Sequence, residues 1–244
     1  MKGLIPAAGL GTRLRPITLA IPKELMMIGD KAVIEYVIEA MREVGVREIT
    51  IVVGWRKHAI LDYLGSGKRL GVKISYVVQD NRDGLAKAVD AGRHVINDEP
   101  FLVVLGDDFF YPKTFLQDIL AFHKDQDADA TIGVAKVKDV TRHGIIKPGE
   151  NNTIIDIVEK PDERDAPSDL GCMGVYIFNP VIFDAIRKTK PGYKKEFQLT
   201  DSIKILVEEG YKVLFSQIDG EHIDVGTLED YRHANEFFQD KKKK

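Results

Sequence analysis

The sequence predicts an α/β protein built on a doubly wound, mostly parallel sheet with helices on both faces. Two observations carry this expectation. Over residues 1–105, short apolar, β-branched runs alternate with segments of helical periodicity in the order β-α-β-α-β-α-β. Three polar, turn-rich stretches, at 9–13, 79–84 and 106–108, directly follow strand runs. In such sheets ligands bind outside the carboxyl ends of the strands.

Residues 3–8 are a short apolar run, read as the first strand, which breaks into Gly9-Leu10-Gly11-Thr12-Arg13. Apolar residues at 33, 34, 37, 38, 41 and 44 have the spacing of an amphipathic helix, and Gly45 suits its C-terminal cap. Residues 48–53 read as a buried strand, 56–64 as a short helix ending at Gly65-Ser66-Gly67, and 72–78 as a third strand. A helix over 85–96 leads to a fourth strand at 101–105, which ends in Gly106-Asp107-Asp108. A helix is expected over 112–124 and a strand over 130–136. The pattern then changes to short strands at 144–146, 154–159 and 174–178, divided by proline-rich turns. Helices over 180–188 and 200–210 follow, the second with Thr200 as N-cap and Asp201 in its first turn. A strand over 211–216 and a helix over 228–238, capped by Thr227, complete the reading.

Composition is that of an ordinary soluble protein, 44% hydrophobic and 30% charged over 244 residues. That length buries roughly 70–75% of the unfolded surface without staples. The net charge of −3 gives no electrostatic footprint for nucleic acid. The run at 241–244 is read as a frayed, solubilising tail. The lone Cys172 excludes an intrachain disulfide or a cysteine zinc site. No apolar run approaches the ~20 residues that span a bilayer, and no secretory leader is recognisable, so no membrane partner and a cytoplasmic location are expected.

The stretch at 9–13 reads as an anion-binding loop, because glycines let backbone N–H groups approach a phosphate closely. Arg13 and Lys23 add two cations beside it. It is not a Walker A loop, since no Gly-Lys-Thr or Gly-Lys-Ser occurs anywhere. Nor is it a dinucleotide fingerprint, because Leu14 stands where the third glycine is needed. The six histidines form no H-E-x-x-H, and no G-x-S-x-G elbow is present. An acid following a rigid strand is a natural metal ligand, and Asp107 is placed so, exposed at the strand end.

The string Gly11-Thr12-Arg13-Leu14-x-Pro16-x-Thr18, followed by Pro22-Lys23, resembles the signature of the sugar-1-phosphate nucleotidylyltransferases. The resemblance implies a Rossmann-like nucleotide-diphospho-sugar transferase fold with an inserted sugar-binding β region. It implies one catalytic domain over 1–240, with a nucleotide half at about 1–125, a sugar half at about 126–226 and a basic tail at 241–244. The implied reaction is attack of a sugar 1-phosphate on the α-phosphorus of a nucleoside triphosphate, with Mg²⁺ as cofactor. Carried over by motif, Asp107 and Asp224 hold the metal, although the family's usual Asn after the first acid is Asp108 here. Ala8, Gly9, Gly11, Thr12, Arg13, Gln79 and Gly84 take the nucleotide. Gly144, Glu159, Lys160, Gly174 and Lys194 take the sugar phosphate, and Arg13, Lys23 and Lys160 assist catalysis. Two flavours are mixed, one resembling uridylyltransferases and one thymidylyltransferases, so glucose 1-phosphate with dTTP or UTP is expected, in a dimer or tetramer. The alternatives are a guanylyltransferase for mannose 1-phosphate, or a non-catalytic binder of nucleotide sugars. The binder would have dispensed with Arg13, Lys23 or an acid, and all are present.

Overall fold

The computed structural model describes residues 1–54 and 57–242. Strands β1 (Lys2–Ala7), β2 (Glu48–Val53), β3 (Lys73–Val78) and β4 (Phe101–Val104) are parallel, in the spatial order β4-β1-β2-β3. They are connected through α1 (Val33–Glu43), α2 (Lys57–Leu64), α3 (Leu85–Ala91) and α4 (Arg93–Ile96). Strand alternation supplies both faces of the sheet with core. Leu4, Val52 and Val103 pack on one face, and Ile5, Ile51 and Leu102 on the other. Because the strand order reverses beside β1, a crevice opens outside the carboxyl ends of β1 and β4.

Beyond β4 come β5 (Asp108–Tyr111), α5 (Phe115–Asp125) and β6 (Ala130–Lys136). Next are β7 (Gly144–Pro148), β8 (Ile154–Glu159) and β9 (Leu170–Phe178). β9 runs antiparallel to β4 and β6, which makes the large sheet mixed. The β7–β8 hairpin continues its edge, meeting β9 where Gly171 faces Ile145. Helices α6 (Ile182–Lys188) and α7 (Leu199–Glu208) cover this half. The chain ends with β10 (Val213–Gln217), parallel to β6, then β11 (Glu221–Asp224) and α8 (Leu228–Lys242).

Four expectations need correction. The helix over 85–96 is two helices, broken at Gly92, where a Cβ would collide with the Leu4 side chain. Thr200 does not cap α7; Gln198 holds that position, and Thr200 lies buried in the first turn with its hydroxyl donating to Glu159 Oε2 at 2.9 Å. A strand over 108–111 was not expected, because an acid opens it; β5 forms by antiparallel pairing with β11, more than a hundred residues away in sequence. Lys241 and Lys242 are not frayed: they extend α8, with ammonium groups 5.0 Å from the Tyr111 and Phe238 ring centres respectively. The rest of the basic run, 243–244, and Arg56 of the expected second helix lie outside the described residues. No described helix is long and apolar enough to cross a membrane.

Candidate active site

The β5–β11 pair is what brings the acids together. Its register sets Asp224 opposite Asp108 and Ile223 opposite Phe109. Alternation sends Phe109 and Ile223 into a small core with Leu14, Met26, Val33, Tyr36 and Val225. Asp108, His222 and Asp224 therefore face the other way, toward the crevice. Asp107 precedes the pair in a turn fixed on three sides. Gly106 N donates to Pro6 O (3.1 Å), Val225 N to Asp107 O (3.0 Å), and Leu105 N to Gly174 O (3.0 Å).

On the other wall, the loop after β1 is shaped by Gly11, whose φ of 60° favours glycine and whose Cβ would sit 2.8 Å from Thr18 Cγ2. Thr18 Oγ1 donates to Gly11 O at 2.7 Å and closes the loop. Lys23, in a short 3₁₀ turn, directs its ammonium onto the Asp107 carboxylate. Arg13 Nη2 lies 3.9 Å from Asp224 Oδ2.

These groups share one cavity of about 590 Å³. Ala8, Gly9, Gly11, Thr12, Arg13 and Lys23 line one end of it, with Asp107, Asp108 and Asp224 as its floor. Gln79 and Gly84 line a second side. The Gln79 amide donates to Gly84 O (3.2 Å) and Asp83 Oδ1 (3.3 Å), which leaves its carbonyl oxygen as a free acceptor. Gly84 has φ 120° and packs directly on the Phe197 backbone, where no Cβ fits. Gly144, Glu159, Lys160 and Gly174 form the remaining wall. Lys160 Nζ donates to Glu159 Oε1 at 2.6 Å. Thus every residue given a metal, nucleotide or sugar-phosphate role from the sequence lines this cavity except Lys194, which stands outside its lining, exposed, at φ 55°.

The electrostatics are those of an acid cluster short of positive charge. Asp107 is buried rather than exposed, contrary to the expectation for a strand-end acid. Burial alone would raise its pKa, but the Lys23 ammonium outweighs that and holds the carboxyl below its usual range. Burial would likewise lower the Lys23 pKa, and the carboxylates of Asp107, Glu24 and Asp224 reverse this. Asp224 is pushed up to about 6, first by burial and then by the Asp107 charge. Asp108 rises to about 7 by burial, against the pull of His222 Nε2 at 3.1 Å. Glu24 rises to about 8, again chiefly by burial.

Sequence reasoning missed several of these groups. Glu24 buries a carboxyl oxygen with no hydrogen-bond partner among the described residues, and so does Asp108, whose place after Asp107 the sequence showed but whose burial it did not. Gln198 and Thr200 also line the cavity. The string Gln198-Leu199-Thr200-Asp201 was visible, but helix capping accounted for Thr200, so its contact with Glu159 was not. His222 is one of six scattered histidines and carries no local signal.

A model of the nucleotidyl transferase family matches residues 2–241. A low-salt glycan biosynthesis nucleotidyltransferase of Haloferax volcanii is 35% identical over 237 residues, covering 97% of this chain and 65% of the relative. This chain thus spans about two thirds of that protein. A UTP–glucose-1-phosphate uridylyltransferase of Staphylococcus haemolyticus is 36% identical over 252 residues, covering 92% of this chain and 87% of its own. Among solved structures, a UDP-glucose pyrophosphorylase complexed with UDP-glucose superposes with a TM-score of 0.91 at 33% identity, covering 98% of both chains. With its fold, its glycine loop and its paired strand-end acids, the chain belongs to the nucleotidyl transferase family.

Proposed function

We propose that the protein joins a nucleoside triphosphate to a sugar 1-phosphate, releasing pyrophosphate and a nucleoside diphosphate sugar. A phosphate oxygen of the sugar 1-phosphate attacks the α-phosphorus, and the bond from that phosphorus to the β-bridging oxygen breaks. Such a transfer needs positioning and charge neutralisation rather than a protein nucleophile. The observation that carries this reading is one cavity lined both by a glycine loop with two cations and by the Glu159-Lys160 pair. The nucleotide half thereby supplies the triphosphate groups and the sugar half the acceptor groups. Arg13 and Lys23 stabilise the leaving pyrophosphate, and Lys160 draws in the acceptor phosphate as a point charge. Glu159 accepts from sugar hydroxyls beside Gly144 and Gly174, where a side chain would collide with Thr200 and Asp108 of the same wall. Gln79 offers its free carbonyl oxygen to the N3–H of uracil or thymine, which favours UTP or dTTP with glucose 1-phosphate.

The carboxylates fit Mg²⁺. Among the described residues no cluster of three or more acid, His or Cys donors forms a cage. Asp107 and Asp224, within hydrogen-bonding reach of each other, offer the one or two carboxylates that Mg²⁺ takes when phosphates and water complete its shell. When bound, the ion would neutralise charge on the reacting phosphates. Because protonated Asp224 is a poor ligand, apparent Mg²⁺ affinity is expected to weaken as pH falls through about 6. The acid limb of kcat/KM then moves to lower pH as Mg²⁺ is raised; a limb indifferent to Mg²⁺ would remove Asp224 from the metal.

The reading is tested by pyrophosphate release over ATP, GTP, CTP, UTP and dTTP with glucose or mannose 1-phosphate. Release is expected with UTP or dTTP and glucose 1-phosphate; preference for GTP with mannose 1-phosphate would favour the guanylyl alternative. Lys160→Ala is expected to raise KM for the sugar phosphate about tenfold or more, with nucleotide KM little changed. A selective loss of nucleotide affinity would overturn the role given to Lys160.

A further inference from the structure

The segment 191–198 runs beside the cavity, which Glu196 and Gln198 line, and is tied to the loop before α3 where Phe197 N donates to Asp83 O. Gly192 N donates to Glu196 O (2.9 Å), Lys195 N to Gly192 O (2.9 Å) and Glu196 N to Tyr193 O (3.2 Å), forming a tight loop. Lys194 and Lys195 both take positive φ, 55° and 61°, a costly choice for residues with a Cβ. Gly192 lies against the Asp201 carboxylate, where no side chain fits. The buried Gln198 amide, itself on the cavity wall, donates to Tyr193 O at 3.0 Å. The loop is thus anchored at both ends, and its strained turn sets the backbone from which the exposed Tyr193 ring projects.

That ring faces two ammonium groups. Lys160 Nζ lies 5.5 Å from its centre and Lys194 Nζ 5.4 Å. Lys160 too has a positive φ, 44°, with its N–H donated to His143 O at 3.0 Å. Two ammonium groups drawn to one ring repel each other. A carboxylate relieves the repulsion by cancelling charge, as Glu159 does in part for Lys160. An aromatic face attracts both cations and cancels neither, so it takes nothing from the positive field that Glu159 leaves for an incoming anion.

We propose that Tyr193 is a positioning residue for the acceptor phosphate, gathering Lys160 and Lys194 at the edge of the cavity that Lys160 lines, so that a dianionic sugar phosphate meets two cations at once. This rests on the reading of the cavity as a sugar 1-phosphate site. It also gives a place to Lys194, which does not line the cavity but stands one ring away from a lysine that does.

The test compares Tyr193→Leu, Tyr193→Phe and wild type. The leucine variant keeps apolar bulk without a π face and is expected to raise KM for glucose 1-phosphate about fivefold. Its kcat and nucleotide KM should stay within about twofold of wild type. The phenylalanine variant keeps the ring and should track wild type in all three constants. Wild-type behaviour of Tyr193→Leu, or an equal rise in nucleotide KM, overturns the proposal. Calorimetric titration of each protein with glucose 1-phosphate separates this from the reaction itself. If wild type releases no pyrophosphate yet binds glucose 1-phosphate more tightly than Tyr193→Leu, the role of Tyr193 stands and the reaction assignment falls. Equal affinities, or no binding by wild type, overturn the role of Tyr193.

Discussion

Replacing Asp107 by Asn is expected to lower kcat by about 10²–10³-fold, because the variant removes one of two carboxylates available to a metal at the reacting phosphates. The loss should fall on kcat more than on either KM. The same change has a second consequence. Asp107 is buried and bonded to the Lys23 ammonium, so the neutral amide leaves that cation with only Glu24 and Asp224 nearby. Breaking a buried pair from one side costs about 3–5 kcal/mol, and the remaining acids soften this, so denaturant unfolding should show a loss of at most about 3 kcal/mol. Asp224 would meanwhile be relieved of a neighbouring charge that helps raise it to about 6, so its acid limb should shift to lower pH. Near-normal turnover in Asp107→Asn would exclude Asp107 from metal binding, whatever its effect on stability.

Lys23→Met is the converse experiment. Methionine fills a similar volume without charge, so kcat/KM for the nucleotide is expected to fall about 10²–10³-fold. Its pH signature differs from that of Asp107→Asn. Without the ammonium, Asp107 and Asp224 repel each other unrelieved, so the Asp107 pKa rises above its unfolded value and that of Asp224, already raised, climbs further. The native state then holds protons that the unfolded state has lost, so stability declines as pH rises through the carboxylate range. The variant should therefore be closest to wild type in stability near pH 5 and weakest at pH 7–8, with Mg²⁺ restoring part of the difference. Equal stability loss at both pH values would mean that Lys23 contributes packing rather than charge.

How much of this was readable beforehand depended on sequence separation. The glycine turn, Arg13 and Lys23 lie within fifteen residues, and their string alone pointed to a triphosphate loop. Strands β1, β2 and β4 announced themselves by apolar runs, because each is buried on both faces, and β3, half-buried at the sheet edge, by its β-branched residues. What was hidden came from pairing across long separations. β5 opens with an acid and carries three aromatics, and its partner β11 is a four-residue run ending in another acid. Neither reads strongly as a strand alone, yet their pairing buries Asp107 and joins Asp108 to His222. Thr200 shows the opposite error. A sound capping rule accounted for it locally, while the fold used its hydroxyl to hold Glu159. Lys194 was read by offset along the chain, and its left-handed turn carries it out of the lining to the Tyr193 ring.

If the acceptor phosphate and the nucleotide α-phosphorus meet in one cavity, with pyrophosphate as the leaving group, a label on that phosphorus must pass to the sugar nucleotide. The decisive measurement supplies UTP or dTTP labelled at the α-phosphorus, with glucose 1-phosphate and Mg²⁺, and follows the label. It is expected in a sugar nucleotide, with unlabelled pyrophosphate formed in equal amount. Label recovered as nucleoside monophosphate, or triphosphate left intact, would rule this reaction out.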